Sequence, residues 1–269
     1  MRARNRWQRA CSRNGSIAMR GAVLLLALSA TWVHGATPDP GKDPVVSVMW
    51  GFFQHKLLKD APYVFDDNVI LRAPPFAEDA RQVPIEIDAR AYQGQVVRIL
   101  AWAELNPLPQ IVEFEPGDQV LPWLAIRIRI EQATPLRAAV LTRDGIWHIG
   151  STTILAAGGG CTAPSVVRTQ AGWEEHIGEV LGGRYPRQDF SRLRLQISHP
   201  MDNGMVSGIP EFYLNHAELR DDSDRVIARL ELFPAVSENP MLGFDVQGSG
   251  GTRLLLRDTS GNEFGAAVP

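Results

Sequence analysis

Leu124-Ala125-Ile126-Arg127-Ile128-Arg129-Ile130 alternates large apolar side chains with small or charged ones. Successive side chains of a β-strand point to opposite faces, so the pattern predicts a strand over 124–132 with one buried face. Working outward, similar short runs occupy 69–72, 83–89, 95–104, 110–115, 136–142 and 146–155. Turn chemistry separates them: Pro74-Pro75, Asn106-Pro107, Pro116-Gly117-Asp118, and Asp144-Gly145 at a hairpin tip. Beyond residue 189 the alternation returns at 190–197, 212–219, 226–232, 242–246 and 252–257, the last followed by a Ser260-Gly261-Asn262 turn. The chain therefore reads as all-β, with two antiparallel sandwiches over 36–157 and 190–269. Two helices are expected beside them. One lies at 45–59, where Val46, Trp50, Phe53 and Leu57 share a face, and a short one at 174–181 ends at Gly182-Gly183.

Composition agrees with short elements: 19 prolines and 24 glycines in 269 residues argue against a helical bundle. The first 35 residues have the order of a secretory signal peptide. Arg2, Arg4, Arg6, Arg9, Arg13 and Arg20 lead, an apolar run from Ala22 to Leu28 follows, and small residues surround Gly35-Ala36. Cleavage is expected after Gly35 or Ala36, and Met19-Arg20 could open the signal by itself. The uncharged stretch 21–37 falls short of the roughly 20 residues of a membrane span. The mature protein is thus expected in the periplasm, with no membrane attachment. Removing the leader takes away six arginines and no acids, so the formal charge moves from 27 − 30 = −3 to 21 − 30 = −9. A surface this acidic excludes nucleic acid as an expected partner.

Cys11 leaves with the leader, and Cys161 is then an unpaired thiol in an oxidising compartment. It follows Gly158-Gly159-Gly160, a run with no regular structure that could serve as a flexible arm. Three uses of the thiol stay open: covalent carrier, dimer-forming disulfide, or inert buried group.

Further residues narrow the reading. Ser198-His199-Pro200-Met201, Asn203-Gly204, Ile209-Pro210-Glu211-Phe212-Tyr213 and Pro234-Ala235-Val236-Ser237-Glu238-Asn239-Pro240 follow in one order. As a set they resemble SoxZ. Upstream, Arg72-Ala73-Pro74, Val83-Pro84-Ile85, Glu104-Leu105-Asn106-Pro107 and Ala156-Ala157-Gly158-Gly159-Gly160-Cys161 resemble SoxY. The resemblance implies two immunoglobulin-like sandwiches, ordinarily separate chains of the SoxYZ sulfur carrier, fused here in one polypeptide. It also implies that Cys161 is the covalent attachment point and that the protein is a non-catalytic carrier. In SoxY the cysteine stands in a terminal Gly-Gly-Cys-Gly-Gly tail. Here Thr162 and Ala163 replace the last two glycines and the chain continues, which argues against ordinary thiosulfate carriage. The fused layout is similar to SoxYZ-like carriers associated with quinoprotein (PQQ-dependent) dehydrogenases. Expected partners are such a dehydrogenase, a c-type cytochrome or Sox-like enzymes. An accessory docking role without covalent cargo is the alternative.

Other candidates read as structural. His199 and His216 lack the orienting third residue and oxyanion-hole motif of a cysteine hydrolase. His148 belongs to strand packing. No Cys-x-x-Cys, His-x-x-x-His or haem-attachment motif occurs, so neither metal nor cofactor is expected. Asp221, Asp222 and Asp224 read as a β-turn, and Gly248-Ser249-Gly250-Gly251 as a hairpin turn. Trp50, Trp102, Trp123 and Trp147 are expected mostly as core filling, with Trp173 helping to dock the linker.

Overall fold

Along residues 120–128, alternation becomes burial: Val120, Leu124, Ile126 and Ile128 enter the core, and Trp123, Ala125 and Arg127 take the opposite face. A computed structural model describes residues 38–268; the expected leader at 1–35, its cleavage site and Cys11 lie outside the described residues. The first half contains β1 (Tyr63–Phe65), β2 (Ile70–Arg72), β3 (Phe76–Ala77), β4 (Val83–Asp88), β5 (Val96–Ala103), β6 (Gln110–Pro116), β7 (Val120–Ile128), β8 (Thr134–Thr142) and β9 (Trp147–Ala156). The second half contains β10 (Val180–Pro186), β11 (Ser191–Ile197), β12 (Leu214–Asp221), β13 (Val226–Leu232), β14 (Met241–Val246), β15 (Thr252–Asp258) and β16 (Glu263–Val268). The all-β expectation holds.

Two sheets hold these strands. One runs β1-β9-β8-β5-β6-β13-β12-β15-β16, with β3 beside β9, and the other runs β10-β11-β14-β7-β4-β2. Both sheets cross from the first half into the second. In the larger, β6 pairs antiparallel with β13 from Val112↔Leu232 to Pro116↔Ala228. In the smaller, β7 pairs antiparallel with β14 from Ile126↔Leu242 to Val120↔Val246. A single apolar core lies between the sheets and draws on both halves, as where the rings of Phe114 and Phe244 meet with centroids 6.1 Å apart. Main-chain ladders and a shared core are each removed from water only when the halves meet, so each half stabilises the other.

Four expectations are corrected. The first helix, α1, spans Trp50–Leu58 rather than 45–59. Val46 is 88% exposed, while Phe53 and Leu58 enter a second apolar cluster with Leu100, Trp102 and Trp147. The expected helix at 174–181 is only a 3₁₀ turn over Trp173–His176, followed by β10. Its terminal Gly182-Gly183 instead lies within that strand, because a side chain at Gly182 would stand 1.9 Å from the Arg194 carbonyl oxygen. The 248–251 glycines carry the chain between sheets, from β14 to β15, and not around a hairpin. Finally, the expected strand over 124–132 stops at Ile128, since Arg129 N–H turns to the Ala235 carbonyl and Ile130 N–H to that of Ala80.

The N-terminal strap around α1 is pinned to the outer face of the larger sheet by Arg137 on β8. This guanidinium is fully buried. It donates to Glu104 Oε1 at 2.8 Å, to both Asp43 oxygens at 2.6 and 2.9 Å, to Ser151 Oγ at 2.7 Å and to the Val45 carbonyl at 2.6 Å. Trp50 lies 5.1 Å from it, so the charge is both paired and stacked.

Candidate functional site

The glycine run follows directly on β9 and is drawn inward. Gly158 and Gly159 take φ of +108° and +84°, values that other residues rarely adopt. Gly160 passes between two backbone carbonyls: a Cβ there would lie 2.1 Å from Ala80 O and 2.4 Å from Ile130 O. Its N–H donates to Ile130 O at 3.2 Å. Cys161 follows and is fully buried. The glycines were expected to present the thiol on an open arm; in this structure the segment is docked.

Each half supplies one wall of the dock. From the first half, the residues just beyond β7 turn out of the sheet and bring Glu131 to the segment. Its carboxylate accepts the N–H of Cys161 at 2.9 Å, the N–H of Thr162 at 3.2 Å and the Thr162 hydroxyl at 3.1 Å. Asn106 sets this turn by donating to Arg129 O at 2.7 Å and accepting Glu131 N–H at 2.9 Å. From the second half, Asn203 Nδ2 donates to the Cys161 carbonyl at 2.7 Å. Arg129, only 3% exposed, bridges the walls by donating to Met201 O at 2.7 Å and Pro200 O at 3.3 Å.

The second-half motif serves this wall. His199 is fully buried, and its Nδ1 accepts the Met201 N–H at 3.1 Å. Asn239 Oδ1 accepts His199 N–H at 3.1 Å, and the His199 ring packs on Phe212 at 4.6 Å. Burial lowers the His199 pKa to about 4, so the ring is neutral near pH 7. Downstream, Glu238 accepts the Ser165 hydroxyl at 2.5 Å and Val166 N–H at 2.7 Å. Arg168 pairs with Asp202 at 2.6 Å and stacks on Trp173 at 4.6 Å, so Trp173 helps hold the linker. His148 bonds Asp66 at 2.7 Å and His216 bonds Glu231 at 2.8 Å, both away from the thiol.

Electrostatics keep the docked sulfur protonated. Burial pushes the Cys161 pKa up to about 12, the Glu131 charge adds to the rise, and Arg129 opposes it. A thiolate, the nucleophilic form, is thus disfavoured until the segment leaves. Sequence reasoning found Cys161 and the glycines but not Glu131 or Arg129, which sat in what read as ordinary strand alternation. Asn203 and Glu238 lay inside the quoted motifs without an assigned role.

Gly160 gives a direct check of the dock. Gly160→Ala is expected to expel the segment, because overpacking against fixed backbone costs about 1–3 kcal/mol. Alkylation of Cys161, followed by intact mass, should then run about tenfold faster or more. An unchanged rate would contradict the close approach to Ala80 and Ile130.

The family model described as "Sulfur oxidation protein SoxY" matches residues 54–161, ending on the cysteine itself. The model described as "Sulphur oxidation protein SoxZ" matches residues 183–269. No curated protein matches the chain. Among solved structures, the sulfur carrier protein SoxY from Chlorobium limicola f thiosulfatophilum is similar at 17% identity and a TM-score of 0.34, over 39% of this chain and 88% of that one. SoxY and SoxZ are non-catalytic components of sulfur oxidation, so the chain is a carrier protein and not an enzyme. With both units following one another in a single polypeptide, the chain belongs to the SoxYZ family as a SoxY–SoxZ fusion.

Proposed function

We propose that the protein is a periplasmic carrier that holds a small, sulfur-containing intermediate covalently on Cys161. The observation that supports this most directly is the placement of the thiol. It stands at the end of the SoxY-matched region, on a glycine hinge, in a dock made jointly by both halves. A dock held by a handful of hydrogen bonds can open without unfolding the sheets, which make their own ladders. In this reading the docked state stores the thiol protonated, and the undocked state offers it to partner enzymes. Gly158, Gly159 and Gly160 then act as the arm. Joining the cysteine sulfur to a sulfur of the cargo removes two electrons and the thiol proton. A quinoprotein dehydrogenase system with its c-type cytochrome is the proposed acceptor and partner, with Sox-like enzymes as the other class. The internal position of the arm limits its reach and favours partners with shallow sites.

The test is intact-mass analysis of the protein isolated from its native host. Adducts on Cys161 that a reductant removes are expected, and Cys161→Ser should abolish both adducts and function. A bare thiol under all growth conditions, together with a functional serine variant, would overturn the reading. Full burial of Cys161 gives some support to the second reading, an accessory module that docks on a periplasmic dehydrogenase without covalent cargo. The same two measurements decide between them.

A further inference from the structure

The outer face of the smaller sheet is shaped by what alternates with its core residues. Glu86 on β4, Ala125 on β7, Gly243 on β14, Arg194 on β11 and Gly183 on β10 share one register row. Three of these five positions carry a methyl group or nothing, so the row forms a trench across the strands. Gly243 keeps its floor low: a Cβ there would stand 3.1 Å from the Ala125 methyl and 3.2 Å from the Trp123 ring. One wall is Trp123, with the Arg192 guanidinium 3.6 Å above its ring and Asp245 fixing that guanidinium at 2.7 and 2.9 Å. Arg127 and Met241 form the other wall, and the central part encloses about 350 Å³.

Charge gives the trench its chemistry. Arg192 is neutralised by Asp245, and Glu86 at one end is held by Arg72. Arg127, half-buried, and Arg194, lying 5.9 Å over the Tyr185 ring, have no carboxylate partner among the described residues. These two free cations flank an apolar floor in a chain where residues 38–269 carry 21 basic and 30 acidic groups. Four strands spaced about 4.8 Å apart line the trench, giving a length of roughly 14 Å, which suits about four extended residues at 3.3 Å each and exceeds a small anion.

We propose that this trench is a docking site for an extended acidic segment of a partner protein. Carboxylates of that segment pair with Arg127 and Arg194 in forked contacts, while its apolar side chains lie on the Ala125–Gly243 floor and on Met241. Arg127 stands two residues before Arg129, which braces the Cys161 dock, so the trench and the dock are joined through β7 and the turn that follows it. The site does not use the thiol, and its test stands apart from the carrier reading.

A fluorescein-labelled hexapeptide of alternating Glu and Val serves as probe, titrated by fluorescence anisotropy against the full chain at low salt. It is expected to bind the unaltered protein and the Cys161→Ser variant equally. Binding should weaken at least about tenfold in Arg127→Glu/Arg194→Glu, and near 1 M salt, where screening acts within about 3 Å. Ala125→Leu, which fills the floor with both arginines intact, should weaken it too, with melting temperatures showing that each variant is folded. The Lys-Val counterpart should not bind. Absence of binding to the unaltered protein would overturn the proposal, as would equal binding by the charge-reversed variant. Displacement of the peptide by glutarate at equal molarity would also overturn it, because the trench would then be a small-anion site.

Discussion

Cys161 in the folded protein is expected to react with iodoacetamide at pH 7 at least about a hundredfold more slowly than a thiol in a short peptide. The docked sulfur is fully buried, and its pKa is pushed up to about 12. The ordinary value is about 8.5, and each unit removes a factor of ten in thiolate. Reaction must therefore pass through undocking. Glu131→Ala removes the acceptor of three hydrogen bonds and a negative charge beside the sulfur. Hydrogen bonds to a charged group contribute about 1.5–3 kcal/mol. Labelling should accordingly rise by about ten- to a hundredfold, with amide exchange in β7 and β14 unaltered. The pH dependence has a definite sign. A thiol whose pKa is raised in the docked state favours docking fully below about 8.5, and that preference is lost as pH rises from there toward about 12. Glu131 and Arg129 are the charges that face it, with opposite effects. Labelling should keep climbing above pH 9 in the wild type and level off earlier in Glu131→Ala. A wild-type rate equal to that of the free peptide at pH 7 would show that no such dock persists in solution.

Arg137→Met should cost about 3–5 kcal/mol of stability, because it strands the buried Glu104 carboxylate and frees Asp43. For a unit of this size that corresponds to a fall in melting temperature of about 10 °C. The loss should concentrate in the strap: amides of α1 exchange faster, and Trp50 loses its stacking partner. Arg137→Met combined with Glu104→Gln should recover part of the loss, since the stranded charge is gone. A melting temperature within about 2 °C of wild type would show that the strap is held by its apolar contacts alone.

Strand positions were legible because period-2 alternation reports burial directly: the expected 226–232 and 83–89 differ from the observed strands by at most a residue. β10 was not legible. Its glycines resemble a helix stop, yet both pair with β11, which at Gly182 approaches too closely for a side chain. The turn at 129–131 was hidden for a similar reason. Arg129 and Ile130 continue the alternation, but Ala235 and Ala80, both remote in sequence, capture their backbone N–H groups.

Leu124 to Ile128 thus determined by themselves that the protein is built of half-buried strands, and the glycine run marked Cys161 as the unusual thiol. That much is local, set by side-chain spacing and backbone freedom. The burial of Cys161 was decided by tertiary structure. Glu131 and Asn203 are 72 positions apart in sequence. They close on the same segment because β6–β13 and β7–β14 join the two halves into continuous sheets over one core. No periodicity within either half encodes that pairing, whose gain in buried area exists only when both are present.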